Sequence, residues 1–170
     1  MRVISVGVLT ASDLGSRGER KDLSGPTIID MVTERLDAKV KKYEIVPDES
    51  EQIQAALIEW VDDLDLDLIL TTGGTGFAPR DVTPEATKAV IDRQAPGLAE
   101  AMRAESMKVT PHGMLSRAVA GIRRQTLIVN LPGSQKAVEE TLNAILPALP
   151  HAIELLRARP RADQHHQYEK

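Results

Sequence analysis

The chain contains no cysteine, and its 170 residues include only one Trp, two Tyr and one Phe. Without cysteine there can be no disulfide, no thiolate zinc or iron–sulfur site and no thiol nucleophile. A cytoplasmic location fits that absence. So few aromatic rings leave no stacking surface for single-stranded nucleic acid. A net charge of −4 also removes any bulk attraction to phosphate backbones, so no nucleic acid partner is expected. No apolar run approaches the roughly 20 residues of a membrane helix, and no membrane association is expected. Met1 to Leu9 begins like a secretory leader, but its apolar run is short and alternating, and no small-residue cleavage site follows. It reads instead as a first buried strand.

What remains has the balance of an ordinary globular protein, 42% hydrophobic and 27% charged. A chain of this length buries about two-thirds of its unfolded surface, enough for a core without disulfide or metal support. One domain over residues 1–158 is expected, followed by a polar, frayed tail over 159–170. Apolar runs alternate with helical patterns. Val3–Leu9, Lys39–Val46, Asp67–Thr72 and Thr126–Leu131 read as strands, Leu68-Ile69-Leu70 having the continuous apolarity of a buried parallel strand. Ser116–Ile122 is ambiguous and leans toward strand. Ser24-Gly25-Pro26 opens a helix buried along Ile28, Val32 and Leu36. A second helix follows Glu49, with Ile53, Leu57, Trp60, Val61 and Leu64 as its apolar stripe. Further helices are predicted from Thr83 to about Asp92, over Gly97–Met107, from Lys136 to about Leu146 and over His151–Arg157. The alternation predicts an α/β fold, a three-layer α/β/α sandwich around a mostly parallel sheet.

Ligands of such folds collect at the carboxyl ends of the strands, where the unusual loops of this sequence fall. Thr72-Gly73-Gly74-Thr75-Gly76 is the strongest of these signals. Its glycines permit a sharp turn and a close approach of backbone to ligand, with exposed N–H groups forming an anion nest and the threonine hydroxyls as added donors. The segment lacks the Gly-Lys-Ser/Thr ending of a P-loop, and Pro79 stands where a dinucleotide fingerprint needs its third glycine. Asp81 lies just before a helix that Thr83 is placed to cap, and Asp48 stands at another strand-to-helix junction. Read singly, each is a solvated or capping carboxylate. As a pair at neighbouring strand ends they can share a hard cation. Ser12, Asp13, Asp22, Ser24 and Gly25 form a polar loop after the first strand, and Gly133-Ser134 is either a turn with an N-cap or a phosphate site at a helix start. Arg80 is either a phosphate contact or surface, and Ser116-Arg117 is a weaker candidate still. The four histidines show no metal-ligand spacing, and no Gly-x-Ser-x-Gly nucleophile elbow is present.

In this order, Leu9-Thr10-Ala11-Ser12-Asp13, Asp22-Leu23-Ser24-Gly25-Pro26, Val46-Pro47-Asp48, Leu70 through Gly76, Arg80 through Glu85, Leu115-Ser116-Arg117-Ala118 and Leu131-Pro132-Gly133-Ser134 resemble the MogA/MoaB family. The resemblance covers Val3 to about Leu156. It implies a molybdopterin adenylyltransferase, moving AMP from ATP onto the molybdopterin phosphate with magnesium as cofactor. A relative that holds the pterin without efficient transfer is the alternative. The family's essential acidic pair falls on Asp48 and Asp81, as catalytic and metal-binding residues. Thr72, Gly73, Gly74, Thr75 and Gly76 would line the nucleotide and phosphate site, with Ser12, Asp13, Ser116, Gly133 and Ser134 as further ligand contacts. The same resemblance implies a homo-oligomer, a trimer or a pair of trimers, and a separate metal-insertion protein downstream.

Overall fold

The computed structural model describes residues 3–158; the tail expected over 159–170 lies outside the described residues. Strand β1 (Ile4–Ala11) lies between β2 (Ala38–Val46) at one edge of the sheet and β3 (Leu68–Thr72) on its inner side. Helix α1 (Asp13–Ser16) is a single turn after β1, and α2 (Ser24–Arg35) and α3 (Ser50–Asp62) are the crossovers that keep these strands parallel. Beyond β3, α4 (Thr83–Val90), β4 (Arg93–Gln94) and α5 (Pro96–Val109) precede β5 (Ala120–Arg123) and β6 (Thr126–Leu131). Strand β6 pairs parallel with β3, whereas β5 is antiparallel to both β6 and β4. The sheet order is β2-β1-β3-β6-β5-β4, and α6 (Gln135–Ile145) and α7 (Leu149–Arg157) complete the chain.

Strand side chains alternate between faces, so each strand feeds two cores. Val6, Val8, Leu68, Leu70, Leu127 and Val129 pack toward α2, α5, α6 and α7. Leu9, Ile69 and Ile128 point the other way and meet Ile53, Leu57, Trp60 and Val61 of α3 and Ala86 and Val90 of α4. The result is the three-layer α/β/α sandwich that the strand–helix alternation predicts.

Two expectations from the sequence are corrected. Leu64 is 44% exposed and leaves the stripe of α3, because the helix ends at Asp62 and its periodicity stops there. Thr83 does not cap α4: Val82 takes that position, and the Thr83 hydroxyl is buried without a hydrogen-bond partner among the described residues. The β1-α2-β2 connection steps outward from β1, and β2-α3-β3 then crosses back over β1 to its other side. The reversal opens a crevice at the carboxyl ends of β1 and β3.

Candidate active site

A cleft of 540 Å³ occupies that crevice. Its walls come from the ends of β1 (Thr10, Ala11, Ser12), β3 (Thr72, Gly73, Gly74) and the β6–α6 turn (Gly133, Ser134), with Asp48 and Asp81 in the same lining. Gly73 and Gly74 adopt φ values of +90° and +67°. A side chain at Gly73 would collide with the carbonyl oxygen of Ala11, so this turn requires glycine on grounds of conformation and space alike. The amides of Gly74 and Gly76 donate to no acceptor among the described residues, whereas the Gly74 carbonyl accepts from the Thr83 amide at 3.1 Å.

Hydroxyls tie the cleft loops together. Thr72 Oγ1 donates to the Pro132 carbonyl at 2.6 Å, and Ser24 Oγ donates to the Gly133 carbonyl at 2.7 Å. The Ser12 and Ser134 hydroxyls accept from the amides of Gly15 and Ala137, as N-caps of α1 and α6. Asp22 fixes the start of α2. Its Oδ1 accepts the Ser24 and Gly25 amides, and its Oδ2 accepts the hydroxyls of Thr10 and Tyr43 at 2.6 and 2.7 Å. Burial, and then the hydrogen bond to Asp22, pushes the Tyr43 hydroxyl well above the usual phenol range, so it stays a donor.

Both carboxylates of the predicted acidic pair lie against the glycine loop. Asp48 Oδ1 is 3.2 Å from the point a side-chain carbon on Gly74 would occupy, and Asp81 Oδ2 is 2.8 Å from the corresponding point on Gly76. Asp48 exchanges backbone-to-carboxylate bonds with Asp13: its Oδ2 accepts the Asp13 amide at 2.9 Å, and its own amide donates to Asp13 Oδ1 at 3.0 Å. Asp81 Oδ2 accepts the Ala78 amide at 2.9 Å, and Asp81 is half-buried rather than fully exposed. Each carboxylate therefore keeps one oxygen free of hydrogen bonds among the described residues. Burial pushes the Asp48 carboxyl above its ordinary range, and the negative charges of Asp13 and Asp81 add to that shift.

Arg80 and Arg117, which flank the acidic pair, are both occupied. Arg80 forks onto Asp13 at 2.6 and 3.0 Å and reaches Glu49 at 2.7 Å. Its hydrogen bond is the main reason the Asp13 carboxyl is held below the usual range. Arg117 donates to the carbonyls of Gly76 and Asp81 at 2.7 and 2.5 Å and pairs with Glu85. It thereby staples the glycine loop to the Asp81 loop.

Of the residues expected from sequence, Ser12, Asp48, Thr72, Gly73, Gly74, Asp81, Gly133 and Ser134 line this one cleft. Thr75, Gly76 and Ser116 instead line a neighbouring recess of 260 Å³, with Met102, Arg103 and His112. Asp13 lines neither and stands behind Asp48. Arg20 and Lys21, which line the main cleft, escaped the sequence reading. Their only signal was two successive cations in a polar loop, a pattern that surface loops share.

An α/β protein with backbone amides and paired carboxylates converging at a sheet switch point is of a class whose architecture suits phosphorylated ligands. Within that class, this chain belongs to the family described as probable molybdopterin binding domain, whose model matches residues 7–151. The molybdopterin adenylyltransferase of Helicobacter pylori is 47% identical over 92% of this chain and 89% of its own length. That of Escherichia coli is 40% identical over 92% and 87%. Gephyrin of Dictyostelium discoideum is 49% identical over 92% of this chain, but the match spans only 23% of that larger protein. Among solved structures, the molybdopterin biosynthesis enzyme MoaB from Thermus thermophilus superposes with a TM-score of 0.85 at 52% identity, covering 90% of this chain and 96% of the other.

Proposed function

We propose that this chain is a molybdopterin adenylyltransferase. A terminal phosphate oxygen of molybdopterin attacks the α-phosphorus of ATP, forming a new P–O–P link. The bond from the α-phosphorus to its bridge with the β-phosphate breaks, its electron pair stays on the bridging oxygen, and pyrophosphate departs. The observation that carries this reading is the convergence of Asp48, Asp81 and the Gly73-Gly74 turn on one cleft. Relatives named for the reaction align over nearly the whole chain.

Transfer between two polyanions needs positioning and charge neutralisation more than a covalent nucleophile. The glycine-turn amides supply fixed donors for phosphate oxygens, and the helix start at Gly133 and Ser134 supplies more. Asp48 and Asp81 fit a magnesium ion, because each offers an unbonded oxygen and small hard cations favour one or two carboxylates completed by substrate phosphates. Among the described residues no three acidic or histidine side chains converge, so the ion would depend on the nucleotide for its remaining ligands. Bound there, it would neutralise phosphate charge during transfer. Ser12, Thr72, Thr75, Gly76, Ser116 and Ser134 remain proposed contacts, with Thr75, Gly76 and Ser116 serving a ligand portion that extends into the neighbouring recess; Asp13, engaged by Arg80 and the Asp48 amide, would act through Asp48. The reading also carries a cytoplasmic homo-oligomer, a trimer or hexamer, and hand-over of product to a metal-insertion protein. No helix of the described residues is long and apolar enough to cross a membrane.

The direct test is pyrophosphate release from ATP, with and without magnesium and with and without molybdopterin. Release that requires all three is expected. Binding of pterin and nucleotide without release would leave a ligand-binding protein and overturn the enzyme assignment.

A further inference from the structure

The cleft is short of available positive charge. Arg80 and Arg117, the arginines nearest the acidic pair in sequence motifs, are committed to Asp13, Glu49, Glu85 and two carbonyls. Arg20 and Lys21 are the only Arg or Lys side chains among the cleft's lining residues, and neither has an ion pair or a side-chain hydrogen bond among the described residues. Their place is not that of a loose surface loop. On one side the Glu19 amide donates to the Leu14 carbonyl at 2.9 Å, and the Glu19 carboxylate is held by Arg17. On the other side Asp22 is fixed by four hydrogen bonds to Thr10, Tyr43, Ser24 and Gly25. Only two residues stand between these anchors, and both are cations.

We infer that Arg20 and Lys21 form the subsite for the pyrophosphate portion of the nucleotide, holding the β- and γ-phosphates in the ground state and the leaving group as its charge grows. The ligand's identity rests on the adenylyl-transfer reading; the anion-binding claim stands on the loop alone. Arg20 presents a planar fork matched to two phosphate oxygens, and Lys21 a compact point charge suited to a third. Their anchored backbone lowers the ordering needed on binding, while their exposed heads keep them free of competing carboxylates. They lie on the connection that follows β1, separate from the Asp48–Asp81 pair. The cleft thus carries acidic groups suited to a cation and cationic groups suited to an anion.

The test is calorimetric titration of inorganic pyrophosphate with magnesium onto wild type, R20A, K21A and the double variant, with AMP and molybdopterin titrated in parallel. Each single substitution is expected to weaken pyrophosphate about tenfold, the worth of one charge-assisted contact. The double variant should weaken it further, the loss shrinking as salt rises. AMP and molybdopterin affinities should hold, and the charge-conserving exchange R20K/K21R should recover most of the pyrophosphate affinity. No pyrophosphate binding by wild type, unchanged binding by the double variant, or an equal loss for AMP would overturn the inference. A loss confined to molybdopterin would overturn it too, assigning the cations to the pterin phosphate. If pyrophosphate binds and the variants lose it while adenylyl transfer fails, the anion subsite stands and the enzymatic reading falls.

Discussion

Two aspartates at opposite ends of the parallel strands live in contrasting company. Asp67 precedes β3 at its amino end and is 6% exposed. Its carboxylate accepts the Ser5 amide and hydroxyl at 2.7 and 2.6 Å, and the Arg157 fork at 2.8 and 2.6 Å. Burial alone would raise its pKa, but Arg157 and Ser5 outweigh burial and hold it below the ordinary range. Asp48, after β2 at the carboxyl end, accepts one amide, has no cation bonded to it and faces two further carboxylates. Its pKa moves the other way. The satisfied carboxylate locks β1, β3 and α7 together, whereas the unsatisfied one stores charge that a cation would relieve. Polar satisfaction thus separates a residue that holds the fold from one we propose as a cation ligand.

Removing the charge at each end should sharpen this contrast. Asp48→Asn is expected to lower adenylyl transfer by about three orders of magnitude, the scale for loss of charge stabilisation at a phosphoryl centre. Its Tm should hold or rise by about 2 °C, because the variant no longer buries a poorly paired charge. Asp81→Asn should match it in activity. Pyrophosphate-release assays and scanning calorimetry on the same samples would read both numbers; an active Asp48→Asn protein would remove the aspartate from the mechanism. The opposite pattern is expected at the other end. Asp67→Ala leaves Arg157 with its carboxylate gone and should cost about 3 kcal/mol of stability. Its activity per folded molecule at low temperature should be unchanged. A loss of turnover without a loss of stability there would dissolve the distinction between the two ends.

A fourth substitution tests whether the cleft end contains backbone strain as well as charge. Gly73→Ala places a side chain at φ +90° and against the Ala11 carbonyl. The strained backbone alone should cost about 1–3 kcal/mol, and relief by movement of the turn would also scatter its amides. Stability and nucleotide affinity should therefore fall together, unlike in any of the aspartate variants. Urea denaturation and ATP titration would check the pair; a fall in one without the other would uncouple the turn from the site.

Much of the fold was readable because continuous or alternating apolar runs bury whole strands. Ile69 and Ile128 against their neighbours are examples, and Ile28 and Val32 mark α2 in the same way. The antiparallel turn at the sheet's far edge was not. Arg124 makes it at φ +53°, its amide donating to Asp92 Oδ2 at 2.7 Å, so a tertiary contact replaces the Gly or Asn that would announce a tight hairpin. Strand β5 begins only at Ala120 because the preceding Arg117 is drawn to the glycine loop. The two-residue β4 is too short and polar to show a period. At the cleft, Asp48 and Asp81 were singled out by their strand-to-helix positions and the family resemblance, and both line it. Which cations remain available was not legible, since it depends on partners distant in sequence: Arg80 on Asp13, Arg117 on Asp81 and Glu85.

The smallest effect separates the two carboxylates by the sign of their pH dependence. For Asp67 the folded value is depressed, so its stabilisation is present above the ordinary carboxylate pKa and lost as pH falls through the depressed value. For Asp48 the folded value is raised. The protein is relatively favoured while that group is protonated, below the ordinary pKa, and loses this contribution as pH rises through the elevated value. Between about pH 4 and pH 7, the stability difference between Asp48→Asn and wild type should grow with pH. That between wild type and Asp67→Ala should stay nearly level and shrink only at lower pH. Activity should share the Asp48 signature, its acid limb lying above the ordinary carboxylate range. Raising magnesium should move that limb to lower pH, because a cation favours the charged carboxylate. A limb indifferent to magnesium would show that the titration seen in turnover belongs to another group, leaving the stability comparison as the measure of Asp48.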